Sequence, residues 1–520
     1  MKNIAVKFAL FLVLILATFL RFYHISQISL WHDEAFTATL INYPWRQIFY
    51  HIGLDVHPPL YYVLLKFWAE IFGHSITALR GFSAVFSAAA VGMIYLVVRQ
   101  AFKNNGLALI AALFLAVHPF QLQYAGQIRM YSFGTFIILL SAYLLLKALD
   151  VERAYNAGNS RAHAKLIRTW LYFALATSAA MYTHYYEFFS IFALALYALY
   201  AEIRIHGKEI RKYKYAAGSY LLVIFLFLPW VKTFIYQFAE VQSNFWIGKP
   251  DRWSIPHVLW TMLSGAEVDT SRLAMEILVV IGVLFTIGIL AWIAKQNKGL
   301  EHEQPKWMVI SGLVVPFVLA IILSFKQSIF LERYFIFAAL FYTMAITVWI
   351  WTFRSKTVRA VLCMIIFTVL CWGNYINTKN VDAENKPGMA AAAGFVNGHA
   401  ESTDAVIVDS PYEYFNFSYY NHTGSMPLLY TNGMPYEKLP RYSGTAILNS
   451  NQVSPKFNDR NFYPSGKIVW LIWTNAYNGY GPTDPNVPSN WNLGPEGKHS
   501  WEDVQPYAGT TIYVAEYIVN

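Results

Sequence analysis

Residues 273–294 read LAMEILVVIGVLFTIGILAWIA, an apolar run interrupted by a single charge, Glu276. A helix needs about 20 mostly apolar residues to cross the hydrocarbon core of a bilayer. Comparable runs lie near 6–22, 76–98, 106–123, 132–149, 169–184, 188–203, 216–234, 307–325, 334–352 and 360–377. The expectation is an α-helical polytopic membrane protein with about eleven transmembrane helices. Composition agrees: 56% of the 520 residues are hydrophobic, 18% aromatic and only 13% charged, against roughly 25% charged in soluble domains. The first run follows Lys2 and Lys7 but leads into Arg21-Phe22-Tyr23-His24 rather than a cleavage site, so it reads as a retained first helix.

The net charge of +9 hides a division. Up to Asn377 there are 31 Lys+Arg and 17 Asp+Glu; from Thr378 onward there are 8 and 13. In the first part the cations sit between apolar runs. Arg153, Arg161, Lys165, Arg168, Arg204, Lys208, Arg211 and Lys212 mark one set of loops, and the opposite loops carry far fewer. Lys and Arg resist translocation, so the basic loops read as cytoplasmic and the tail as extracytoplasmic. This interleaving gives no single basic face for nucleic acid. Cys363 and Cys371 share one apolar run, and the tail has no cysteine for a disulfide framework.

Two domains are expected. Residues 1–377 form the transmembrane part, with a long first external loop, 23–80, read as two interfacial helices. Residues 378–520 form a small α/β domain. There, 404–409 (DAVIVD), 468–473 (IVWLIW) and 511–518 (TIYVAEYI) read as strands, and 379–401 as a linker entering a helix.

Ionisable residues collect at the external ends of the spans, where they are costly near lipid and become functional candidates. Asp33 and Glu34 follow the first span. One carboxylate suits a general base, while the other orients the loop; alternatively both are helix-start acids stabilised by the dipole. Asp55-Val56-His57-Pro58-Pro59 precedes a helix that the prolines would start, which places Asp55 and His57 at an anion-favouring terminus. Arg129 with Tyr131, and Arg333 with Tyr334, open later spans. Either arginine can snorkel to headgroups or grip a phosphate bidentately. His184, in Thr183-His184-Tyr185-Tyr186-Glu187, offers a mixed metal set with Asp55 and His57, although no short ligand spacing supports it. No Gly-rich phosphate loop, Ser-His-Asp set or cysteine zinc pattern is visible.

In order, the acidic pair, HPPLYY, Ala78-Leu79-Arg80, RMYS, THYY and RYF resemble the motifs of polyprenyl-phosphate-dependent glycosyltransferases of the GT-C fold. The bacterial family 39-like proteins are the subgroup most similar in this respect; they are akin to protein O-mannosyltransferases and lipid A aminoarabinose transferases. The resemblance covers about residues 1–377. It implies a sugar donor linked through phosphate to a polyprenyl lipid, and transfer outside the cytoplasm to a glycan, lipid or protein acceptor, with inversion. It implies Asp33 as base with Glu34 as its partner, and His57, Arg129 and Arg333 around the donor phosphate, with Lys326 a further cation. No cofactor is required by this reading, and a divalent cation is an option. Val56 stands where some relatives carry an acid before the basic-Pro-Pro segment. The rival reading is a lipid-linked sugar flippase or other secondary transporter. Such proteins place charges near the bilayer midplane in paired repeats. Here the charges lie at span ends and no repeat is found.

Overall fold

The computed structural model describes residues 2–520 apart from 244–246, 266–271, 297–304, 327, 382, 440, 442–443, 476–484 and 504–509. The membrane half runs α1 (Lys2–Phe22), α2 (His32–Leu40), α3 (Trp45–Leu54), α4 (Leu60–Phe72), α5 (Ile76–Phe102), α6 (Asn105–Ala116), α7 (Pro119–Gln123), α8 (Tyr131–Asn156), α9 (His163–Met181) and α10 (Glu187–His206). It continues through α11 (Lys214–Ser243), α12 (Ser254–Ser264), α13 (Arg272–Lys295), α14 (Pro305–Ser324), α15 (Ile336–Thr352) and α16 (Lys356–Asn380). Among the described residues, nine helices are long and apolar enough to cross a membrane: α1, α5, α8, α10, α11 and α13 to α16. Outward apolar side chains on them, such as Phe8, Phe225, Leu284 and Met364, are exposed as lipid-facing residues would be.

Two expected spans are not among these nine. The run 106–123 breaks before Pro119, whose ring cannot continue the hydrogen-bond ladder. The 12-residue α6 therefore reaches only about 18 Å. In α9 the first turns carry Lys165 and Arg168, which leaves a shorter apolar stretch. The first loop holds three helices, α2 to α4, rather than two.

Among the described residues the tail adds α17 (Gly388–His399), α18 (Pro411–Tyr420) and six strands: β1 (Ala405–Val408), β2 (Leu428–Tyr430), β3 (Val453–Ser454), β4 (Ile468–Thr474), β5 (Trp491–Asp503) and β6 (Thr510–Val519). They form one sheet of order β3-β2-β1-β4-β6-β5, parallel from β3 to β4 and antiparallel beyond. The three strands expected from sequence are β1, β4 and β6. β1 is buried on both faces, as central parallel strands are. Val406 and Val408 join the large core shared with the bundle, and Ala405 and Ile407 a second core on the other face.

The tail sits on the first loop. The Leu30 N–H donates to the Tyr420 hydroxyl (2.9 Å), Tyr43 donates to the Ile447 carbonyl (2.6 Å), and Ser29 to the Pro387 carbonyl (2.8 Å). The His32 ring packs edge-on to Tyr412. Gly444, at φ +83°, allows this approach, because a Cβ there would stand 3.0 Å from both His32 and Phe415.

Candidate active site

α2 begins at His32 after an extended Trp31, so both acids lie in its first turn, where the helix dipole favours negative charge. They point to different partners. Glu34 is fully buried and grips Arg80 of α5 through both oxygens (2.9 and 2.7 Å). It also accepts from the Ile128 backbone N–H (2.9 Å). Arg80 in turn donates to the carbonyls of Ile25, Ile28 and Ser29. This pair pins the start of the first loop and fixes the backbone just before Arg129. Both Glu34 oxygens are thus taken by Arg80 and the Ile128 N–H.

Asp33 faces a cluster of cations. Its Oδ2 lies 3.8 Å from Arg129 Nε and 3.9 Å from Arg333 Nη1. Burial pushes the Asp33 carboxyl up, but the Arg129 and Arg333 guanidiniums outweigh it and hold the group at about 2. Asp33 is therefore a carboxylate at any physiological pH.

Arg129 is held from several sides. Its Nη1 donates to the Thr37 hydroxyl (3.2 Å) and the Tyr62 hydroxyl (3.4 Å), and its Nη2 to His57 Nε2 (3.0 Å). With Nε2 accepting, the His57 proton sits on Nδ1 and is donated to Asp55 Oδ2 (2.9 Å). Tyr62 donates to the same oxygen (3.3 Å). The prolines do start α4 at Leu60, and its first N–H is taken by the Tyr182 carbonyl (2.9 Å).

Arg333 lies over the rings of Trp31 and Tyr334, with 5.6 and 5.9 Å to their centroids. Tyr334 stacks on Tyr186 at 3.7 Å. His184 is buried among the rings of His57, Tyr131 and Tyr334. The Tyr186 N–H donates to His184 Nδ1 (3.2 Å), so Nε2 carries the proton. Burial lowers the affinity of His184 for a second proton well below that of an ordinary histidine, and His57 and the two arginines lower it further. The ring stays neutral.

Thus Asp33, Asp55, His57, Arg129, Tyr131, His184, Arg333 and Tyr334 come together. Lys326 does not: it is exposed just beyond α14 and makes no ion pair with the cluster among the described residues. The metal set of Asp55, His57 and His184 is not formed either. Both His57 nitrogens are engaged, and the His57 and His184 ring centroids stand 6.1 Å apart. Among the described residues the one metal-compatible group of His and carboxylates is Glu152, Glu202 and His206, elsewhere in the bundle.

Four N–H groups here are buried and have no hydrogen-bond partner: Arg129 Nε, Arg333 Nε, His184 Nε2 and Trp31 Nε1. Unpaired buried donors are costly, and two guanidinium N–H groups beside Asp33, with His184 packed against Tyr334 and Trp31 under Arg333, suit a further anion. Trp31 and Tyr62 were not singled out from sequence, although each adjoins a motif: Trp31 precedes the acidic pair, and Tyr62 ends HPPLYY. Glu187 is buried with neither carboxylate oxygen accepting a hydrogen bond. It packs against Gly134, where a Cβ would collide with it.

Residues 56–232 match the family model described as dolichyl-phosphate-mannose-protein mannosyltransferase. The GT-C resemblance read from the motifs stands. Solved structures similar to the chain include the Saccharomyces cerevisiae protein O-mannosyltransferase Pmt1-Pmt2 complex bound to the sugar donor, at 19% identity and TM-score 0.35, over 45% of this chain and 34% of that one. The chain thus spans about a third of that relative. They also include ArnT from Cupriavidus metallidurans bound to undecaprenyl phosphate, at 12% identity and TM-score 0.49, over 97% of both chains. The oligosaccharyltransferase of Archaeoglobus fulgidus in complex with Zn and sulfate is similar at 12% identity and TM-score 0.46, over 89% of this chain and 67% of that one. No curated protein matches the sequence. HPPLYY, RMYS and THYY of the GT-C resemblance fall within the matched stretch, while the acidic pair precedes it and RYF follows it.

Proposed function

We propose that the chain is a membrane glycosyltransferase that moves a sugar from a polyprenyl-phosphate donor to an extracytoplasmic glycan, lipid or protein acceptor, with inversion. The observation that carries this reading is the set of unpartnered buried donors on Arg129, Arg333 and His184, two of them on the arginines that face Asp33. A phosphate oxygen would give Arg129 Nε, Arg333 Nε and His184 Nε2 the acceptor they lack.

In the reaction, the acceptor's hydroxyl or amine attacks the anomeric carbon and the bond to the donor phosphate breaks. Asp33 takes the attacking group's proton. Charge grows on the leaving phosphate, and the two guanidiniums, fixed beforehand, stabilise it. The same arginines that depress Asp33 in the free protein would be partly neutralised by the phosphate. Donor arrival would therefore raise the basicity of Asp33 when it is needed. Asp55 holds His57, and His57 with Tyr62 and Thr37 holds Arg129, so the clamp loses little entropy on binding. The charge asymmetry supports placing this end of the bundle, and the tail above it, outside the cytoplasm. Only with α6 and α9 counted as crossings, eleven in all, do the starts of α8, α10 and α15 lie on the same side as the tail.

The test is donor chemistry on the purified full chain in lipid nanodiscs. Polyprenyl phosphate should bind and compete with lipid-linked sugars. At least one polyprenyl-phosphate sugar should lose its sugar to an added acceptor in the wild type. Failure of polyprenyl phosphate to bind at all would overturn the reading.

A further inference from the structure

At the other end of the bundle three titratable side chains meet in the interior. Glu152 lies near the end of α8, and Glu202 and His206 lie one turn apart near the end of α10, on one helix face. Their exposures are 1%, 1% and 8%. His206 Nε2 is 3.1 Å from Glu152 Oε1 and 3.5 Å from Glu202 Oε2, and one ligand atom from each residue lies within 4.8 Å of the others. Trp170 of α9 donates to Glu152 Oε2 (2.9 Å), which turns Oε1 inward, as an outer partner orients a metal-binding carboxylate. Neither oxygen of Glu202 accepts a hydrogen bond. His206 Nε2 has one proton at most to donate, so it cannot serve both carboxylates. Arg153, the neighbouring cation in sequence, pairs with Asp150, and its charge also reaches Glu202. Two buried carboxylates aimed at one point cannot both stay charged and unpaired: the Glu202–Glu152 contact must hold a shared proton, or all three groups must share a cation.

We propose that Glu152, Glu202 and His206 bind a divalent first-row transition ion that clamps α8 to α10. One imidazole nitrogen and two carboxylate oxygens suit zinc or manganese better than magnesium or calcium, which take more ligands, all oxygen. The Asn156 amide, with Nδ2 3.4 Å from His206 Nε2, can offer its oxygen as a fourth ligand once turned over. The site is structural. Glu152 lies about 30 Å along α8 from Tyr131, too far to touch the reacting groups. Yet α8 starts just after Arg129 and α10 just after His184. Fixing the far ends of both helices fixes the register of two phosphate donors.

Elemental analysis of the full chain, purified in detergent with zinc supplied and then stripped of loosely held metal, tests this. Wild type should retain about one ion per chain and gain several degrees in Tm with zinc. Glu202→Gln, nearly isosteric and lighter by one buried charge, should fold, lose the ion and lose the Tm response. His206→Gln should do the same. Asp55→Asn, at the other end, should keep the ion. Wild type without stoichiometric zinc, manganese or iron, and without a Tm response to any of them, would mean the carboxylates share protons instead, and the proposal fails. Retention of the ion by a Glu202→Gln/His206→Gln double variant would place it elsewhere and equally overturn the clamp.

Discussion

Asp33 and Glu34 are adjacent in sequence and opposite in circumstance. Asp33 is held at about 2 by Arg129 and Arg333 against the cost of burial. A carboxylate with a depressed value contributes stability in full above its ordinary range, near 4, and loses it as pH falls through about 2. Asp33 therefore adds no slope to thermal stability between pH 5 and 9, and a Tm-against-pH scan of wild type beside Asp33→Asn should give parallel curves there. Glu34→Gln acts differently. It leaves Arg80 buried and uncompensated, a loss on the order of 3 kcal/mol, to be read as a lower Tm and denaturation midpoint rather than as lost chemistry in the protein that remains folded. Arg333→Ala should weaken transfer by about 2 kcal/mol, the scale of a charge-assisted hydrogen bond removed from a shielded site. Arg333→Lys should recover only part of this, because the planar fork is gone. Normal turnover by Arg333→Ala would reduce that arginine to a headgroup anchor. These residue types were legible from sequence because ionisable groups at span ends are expensive. The residues alone left open which acid faces the cations, since adjacent positions on a helix diverge by about 100°; only the resemblance pointed to Asp33.

Among the elements, spans and buried strands were legible, and polar or interrupted ones were not. α13 and β4 announce themselves by unbroken apolar runs. β5 hides, because WNLGPEGKHSWED alternates poorly and contains Gly494, Pro495 and Gly497; the register slips between Leu493 and Lys498 while the strand pairs at the sheet edge. The third helix of the first loop was missed because α2 to α4 are short and their faces pack against the tail as well as the bundle. That packing has a consequence. α18 lies on α2, and Tyr420 takes the Leu30 N–H two residues before His32. Tyr420→Phe removes that acceptor and should cost about 1 kcal/mol locally. Hydrogen exchange should then rise across residues 29–36 while the α8 core stays protected. Unchanged exchange there would show that the tail does not hold the loop.

The whole molecule has two ends of different chemistry. The basic loops gather at the end that holds Glu152, Glu202 and His206, and the Asp33 cluster and the tail lie at the other. With Cys363 and Cys371 replaced, a cysteine at Ser402 should be labelled in intact cells by an impermeant reagent, and one at Asn159 only after permeabilisation. The reverse pattern would turn the protein over and put the cluster on the wrong side for an extracytoplasmic acceptor. The central claim, that this cluster transfers a sugar with Asp33 as base, is tested most directly by measuring donor binding and single-turnover transfer on one preparation of Asp33→Asn. Asn keeps the shape and removes a negative charge from between two arginines, so polyprenyl-phosphate donor should bind as well as in wild type or more tightly, while transfer falls about 100-fold or more. Near-normal transfer by Asp33→Asn would contradict the account.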